Sequence, residues 1–170
     1  MLLVYGGSQG SLAINRAVGE WIDRGLPDNL HVIWGTGRGT YADFKRYEGP
    51  RIRVRDYLAP ISEAYAATDL ALARAGAMTT AELFAWGIPG VLIPLPTAAA
   101  DHQTTNAVTL EKAGAAIHIP QSELDVERLD RTLRRLLDNP SEMQALADGA
   151  SRRARPNAAA EIAAKILALV

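Results

Sequence analysis

The sequence predicts an α/β fold, a doubly wound parallel six-stranded Rossmann-like sheet with helices on both faces. Three observations predict it. Six short β-rich runs recur along the chain. Each is followed by a helical pattern or a turn, which is the alternation that buries a parallel sheet on both faces. Glycine-rich turns leave the ends of the first two runs. Right-handed crossovers then favour the strand order 3-2-1-4-5-6.

The elements follow in order. Leu2–Tyr5 reads as the first strand, and a helix after it carries Ile14, Val18, Trp21 and Ile22 on one face. Leu26-Pro27-Asp28-Asn29 is a turn, and His31–Trp34 the second strand. A short helix over Tyr41–Tyr47 leads to the third strand, Ile52–Val54. Ile61–Ala67 reads as a short helix, Leu70–Ala73 as the fourth strand, and Ala77–Trp86 as a helix stopped by Gly87 and Pro89. Val91–Pro94 is the fifth strand, Asp101–Ala113 a helix, and Ala116–Ile119 the sixth strand. The remainder is helical. Val126, Leu129, Leu133, Leu136 and Leu137 form an apolar stripe, with Glu127/Arg131 and Asp130/Arg134 paired on the wet side. Two more helices cover Pro140–Arg152 and Pro156–Val170, the latter with proline at its start.

Composition narrows the function. The chain has 170 residues, 48% hydrophobic and 22% charged, which fits one globular domain, residues 1–170, with a real core. A net charge of −1 lacks the attraction that nucleic-acid binding relies on, so no nucleic-acid partner is expected. The absence of cysteine removes disulfides, zinc fingers, Cys nucleophiles and iron–sulfur sites, and fits a reducing compartment. No apolar run approaches the roughly 20 residues of a membrane span. Met1 runs straight into strand residues with no charged leader, so the chain is expected to be the second half of a longer protein.

Ligands of such sheets bind at the carboxyl ends of the strands, where the order reverses. Four segments there carry candidate chemistry. Gly6-Gly7-Ser8-Gln9-Gly10-Ser11 opens a helix, so its backbone N–H groups and the helix dipole suit a phosphate; it also reads as a tight turn capped by Ser11. It matches neither the dinucleotide nor the P-loop pattern. Gly35-Thr36-Gly37-Arg38-Gly39 reads more simply as a plain turn. Arg74–Glu82 places Glu82 one turn into a second helix, where a carboxylate can accept from two ribose hydroxyls; Thr79-x-x-Glu82 is equally a capping box, and taken alone the cap is the better reading. Asp101, His102, Gln103 and Asn106 gather hydrogen-bonding groups suited to a sugar, although Asp101 also reads as a cap. His31 and His118 read as structural strand residues, Trp21 and Trp86 as packing residues, and Arg152, Arg153 and Arg155 as a solvated patch. No metal-ligand spacing, catalytic triad or general base stands out, so no metal and no cofactor is expected.

GGSQGS after strand one, ARAGAMTTAELFAWGIPGVLIPLP around strands four and five, and DHQTTNAVTLEKAGAA after them resemble the carboxy-terminal half of the MurG-type peptidoglycan transferases of the GT-B fold. The resemblance covers nearly the whole chain and half of the family's length. It implies binding of UDP-N-acetylglucosamine (UDP-GlcNAc), whose sugar passes to lipid I, undecaprenyl-diphospho-N-acetylmuramyl-pentapeptide, in cell-wall synthesis. By motif position, Ser8 and the backbone of Gly7, Gln9 and Gly10 hold the diphosphate, with Ala77, Met78 and Thr79 at the second helix start beside it. Leu58 pairs its backbone with the uracil edge, Glu82 takes the ribose hydroxyls, and Gln103 and Asn106 take the sugar hydroxyls. Asp101 and His102 shape the loop. Ala75 stands where many relatives have Ser, and Thr104-Thr105 where some have bulkier residues. The resemblance puts the catalytic base and the lipid I acceptor on the other half, so no catalytic residue and no membrane contact is expected of this one. It places the full-length enzyme peripherally on the cytoplasmic face of the inner membrane. A chain that acts with a separate membrane-bound partner, a UDP-GlcNAc epimerase half and a non-catalytic nucleotide-sugar module are the alternatives.

Overall fold

The computed structural model describes residues 1–169; the expected last helix residue, Val170, lies outside them. Six parallel strands form one sheet in the order β3-β2-β1-β4-β5-β6, as the sequence predicts. They are β1 (Leu2–Tyr5), β2 (Val32–Gly35), β3 (Ile52–Arg55), β4 (Leu70–Ala73), β5 (Gly90–Leu92) and β6 (Ala116–His118). β1 and β4 are buried at every position, which is why they read as unbroken apolar runs instead of alternating ones. β2 begins one residue later than expected. His31 stands exposed before it, although its carbonyl accepts from Leu2 N–H at 2.8 Å, and Gly35 joins the ladder opposite Tyr5.

Among the described residues eight α-helices accompany the sheet: α1 (Leu12–Asp23), α2 (Tyr41–Phe44), α3 (Ile61–Ala66), α4 (Ala77–Ala85), α5 (His102–Lys112), α6 (Val126–Leu137), α7 (Pro140–Arg153) and α8 (Ala158–Leu167). One face of the sheet meets α1 and α6. There Leu2, Val4, Trp34, Val54, Leu72 and Val91 pack with Ile14, Val18 and Trp21 of α1 and Leu129, Leu133 and Leu136 of α6. Each such side chain contributes about 2 kcal/mol relative to exposure. The other face, with Leu3, Tyr5, Ala71, Ala73 and Leu92, packs against Tyr65 of α3, Leu83 and Phe84 of α4 and Ala107 and Leu110 of α5.

The seam between α1 and α6 departs from the expected pattern of ion pairs. Asp130 does bond Arg134, at 2.7 Å, and it also accepts from the Trp21 indole at 2.7 Å. Glu127 does not pair with Arg131; it reaches across to Arg24, the residue that closes the carboxyl end of α1, at 2.6 Å. The last helix starts two residues later than expected. Pro156 lies in the turn before it and Asn157 takes the cap position, whereas Pro140 does occupy the first turn of α7. Arg152, Arg153 and Arg155 are exposed, as a solvated patch should be.

Candidate functional site

β1 is flanked by β2 on one side and β4 on the other, and the connections after β1 and β4 diverge to opposite faces. A crevice therefore opens above their carboxyl ends. It is a cleft of about 540 Å³. Gly7 and Ser8 form one wall, Met78, Thr79 and Glu82 a second, and Asp56–Ile61 a third, with Tyr5, Gly35 and Gly37 beneath.

The glycine-rich loop after β1 is shaped by sterics. Gly7 and Gly10 have φ of 86° and 75°, the left-handed region that side chains avoid. A β-carbon on Gly10 would overlap the Thr36 carbonyl, and one on Gly37 the Gln9 carbonyl. The two glycine loops thus lie backbone against backbone, so the second is more than a plain turn: it is the support for the first. Asn15, fully buried in α1, fastens this contact by donating to the Thr36 carbonyl at 2.8 Å and accepting from the Trp34 indole at 2.9 Å. Ser11 caps α1, accepting from Ile14 N–H at 3.4 Å.

α4 begins in the wall of the cleft, and α1 begins at Leu12, just past the loop whose Gly7 and Ser8 line it. Neither has an acidic residue in its first turn, so nothing on the helix itself offsets the positive end of its dipole. The first-turn N–H groups of α4, on Ala77, Met78 and Thr79, have no intrahelical partners. The lining includes two carboxylates, Asp56 and Glu82, and no Lys or Arg. Within the lining, attraction for an anion comes from backbone dipoles and from the hydroxyls of Ser8 and Thr79. Arg38 is close by, its guanidinium 5.6 Å from the Tyr57 ring centroid.

The capping-box reading of Thr79 and Glu82 is wrong. Gly76 is the cap residue of α4, and no side chain caps this helix. Thr79 is already inside the first turn, so Glu82 lies too deep to reach the cap. Its Oε2 instead accepts from the Tyr65 hydroxyl at 2.8 Å. Tyr65 meets the Tyr5 hydroxyl at 3.2 Å. Burial pushes the Tyr5 hydroxyl up to about 12, and burial followed by the bond to Tyr5 raises Tyr65 well above the usual tyrosine range. Trp86, expected as a packing residue, is half exposed and leans on Tyr65 with ring centroids 6.1 Å apart.

Leu58 forms part of the third wall. Its side chain lies over Gly35, where a β-carbon would come 3.0 Å from Leu58 Cδ1. Gly7, Ser8, Leu58, Met78, Thr79 and Glu82 thus come together as expected, with Gln9, Gly10 and Ala77 adjoining them in the same loop and helix start. Gln103 and Asn106 do not line this cleft. They brace the neighbouring loops: Gln103 Oε1 accepts from Leu95 N–H, and Asn106 Nδ2 donates to the Ala75 carbonyl, both at 3.1 Å. The Gln103 amide nitrogen and the Asn106 amide oxygen remain uncommitted among the described residues. Asp101 occupies the cap position of α5, yet its side chain makes no cap bond, because its backbone is left-handed with φ 51°. The neighbouring Ala100, φ 47°, shares that conformation, and His102 Nδ1 reaches the Ala99 carbonyl at 2.8 Å.

Sequence reasoning passes over Tyr5, Tyr65 and Arg74. Arg74 is buried with no carboxylate partner among the described residues, and its guanidinium donates to the Ile93 and Pro94 carbonyls and to Gln121 Oε1 at 3.1, 2.8 and 2.7 Å. Burial lowers its pKa from the ordinary arginine value. The one available signal was a charged residue placed directly after an otherwise apolar strand.

Comparison with known proteins agrees with this architecture. The family model for the glycosyltransferase family 28 C-terminal domain matches residues 1–163. A protein of Salinibacter ruber named UDP-N-acetylglucosamine–N-acetylmuramyl-(pentapeptide) pyrophosphoryl-undecaprenol N-acetylglucosamine transferase is 46% identical, over 99% of this chain and 46% of its own length. A protein of the same name from Gloeobacter violaceus is 41% identical over 94% of this chain and 45% of its own. The crystal structure of Acinetobacter baumannii MurG superposes with a TM-score of 0.84 at 30% identity, covering 95% of this chain and 49% of that one. UDP-GlcNAc 2-epimerase from Neisseria meningitidis, at 12% identity, 98% and 43% coverage and a TM-score of 0.66, shares the fold alone. The chain spans about half the length of the curated relatives it matches. It belongs to the glycosyltransferase family 28 C-terminal domain family.

Proposed function

We propose that this chain is the donor-binding half of an inverting transferase that moves N-acetylglucosamine from UDP-GlcNAc to lipid I in peptidoglycan synthesis. The observation that carries this reading is the meeting of the α4 N-terminus and the glycine loop that leads into α1 at a cleft with Leu58 on one flank and Glu82 on another. A diphosphate fits between the helix ends, where N–H groups and dipoles hold charge without a metal. As the bond from the sugar to the β-phosphate breaks, negative charge grows on that phosphate, and the same preorganised donors stabilise it. Leu58 offers its backbone to the uracil edge and Glu82 its carboxylate to the ribose. Gln103 and Asn106 lie outside the cleft lining, and this reading assigns their uncommitted amide groups to the sugar hydroxyls. Activation of the acceptor hydroxyl is assigned to the other half of the relatives, as is contact with the membrane surface. No helix among the described residues is long and apolar enough to cross a membrane. Full-length protein on the cytoplasmic face of the inner membrane is consistent with these assignments.

Calorimetric titration with UDP and UDP-GlcNAc tests the reading. We expect dissociation constants between about 1 μM and 1 mM for an isolated half-site. Glu82→Ala should weaken UDP by about tenfold, the loss of one or two hydrogen bonds to a charged group. A chain that binds neither ligand contradicts the proposal.

A further inference from the structure

The cleft contains a hydrogen-bond chain that the donor reading does not require. Tyr5 and Tyr65 are 6% and 3% exposed, with rings edge-on at 6.3 Å between centroids. Their hydroxyls are 3.2 Å apart, and the Tyr65 hydroxyl is 2.8 Å from Glu82 Oε2. Chemistry fixes the direction of every proton in this chain. A carboxylate accepts only, so Tyr65 donates to Glu82. Tyr65 has one proton, now committed, so it accepts from Tyr5. Tyr5 has then committed its own proton. Packing alone would be served equally well by two phenylalanines, whose rings need no partners. Here buried hydroxyls are strung in series, and the series ends on a carboxylate that lines the cleft.

Two consequences follow. Glu82 is held through Oε2, which leaves Oε1 for a ligand. Tyr5 also lines the cleft, and its hydroxyl, bonded to Tyr65 and flanked by the Thr79 hydroxyl, has no free proton to offer. This side of the cleft therefore presents acceptors, which suits a ligand offering neighbouring hydroxyl donors.

We propose that Tyr65, braced by Tyr5, is a positioning residue that aims Glu82 and so makes the cleft prefer ribonucleotides over 2′-deoxyribonucleotides. The proposal rests on the reading of Glu82 as the ribose ligand, and the experiment separates the two. UDP and 2′-deoxy-UDP are titrated into the unmodified chain, Glu82→Gln, Tyr65→Phe and Tyr5→Phe, with thermal melts of each. The unmodified chain should prefer UDP by about tenfold, the worth of one hydrogen bond to a charged group. Glu82→Gln should bring the two affinities within about twofold. Tyr65→Phe should lose at least about a threefold share of the preference through weaker UDP binding, with 2′-deoxy-UDP affinity unchanged. Tyr5→Phe should shift the ratio in the same direction by a smaller factor, and it decides the matter if Tyr65→Phe does not fold. An unchanged ratio in the tyrosine variants, or an equal loss for both ligands, overturns the positioning role while collapse in Glu82→Gln upholds the ribose reading. An unmodified chain indifferent to the 2′-hydroxyl, or a Glu82→Gln variant that keeps the preference, overturns both.

Discussion

At the scale of single residues, the cleft is built from groups whose neighbours leave them little choice. Tyr5 closes a buried strand, so its hydroxyl has Tyr65 for a partner and its ionisation is opposed by burial, which raises it to about 12. A folded-state value above the unfolded value of 10 means the native state holds its proton more tightly. That stability is fully present below pH 10 and is lost as the pH rises towards about 12. One such group removes on the order of 3 kcal/mol across that window. Ultraviolet titration at the tyrosinate band, followed alongside circular dichroism, should show Tyr5 and Tyr65 ionising only as the fold is lost, and Tyr5→Phe should flatten the alkaline limb. Tyrosines that all ionise near pH 10 in a folded chain would contradict the burial of this pair.

At the scale of elements, most of the fold was legible and the reasons for the misses are specific. β1 and β4 announce themselves because four consecutive buried positions permit little but apolar side chains. The start of β2 is not legible because His31 does bond β1 through its carbonyl; only the register, which begins at Val32 against both β1 and β3, leaves it outside the strand. The role of Glu82 was legible from family likeness and illegible from spacing. Thr79-x-x-Glu82 fits a capping box by spacing alone, but a helix beginning at Ala77, as the sequence also predicts, already puts Thr79 inside the first turn. Tyr65 could not be found at all from spacing, since it lies 17 residues from the carboxylate it holds. Packing between elements supplies a prediction of its own. Gly149 lies within α7, where alanine ordinarily stabilises by about 1 kcal/mol. A β-carbon there would overlap the Gly114 carbonyl at the turn into β6. Gly149→Ala should therefore destabilise, by about 1–3 kcal/mol in urea denaturation. A stabilised variant would show that α7 does not seat against this corner.

At the scale of the whole molecule, one sheet turns its reversal point into a binding cleft and leaves no cation in its lining. The charge of a diphosphate then falls to the glycine loop leading into α1 and to the start of α4, with the Ser8 and Thr79 hydroxyls, and the two carboxylates have to face uncharged parts of the ligand. This division of labour is the central claim, and a crystal structure of the chain with UDP tests it directly. The pyrophosphate should sit within hydrogen-bond reach of backbone N–H groups from Gly7–Gly10 and Ala77–Thr79, with the ribose hydroxyls on Glu82. Pyrophosphate bound away from both helix ends, or ribose turned from Glu82, would contradict it.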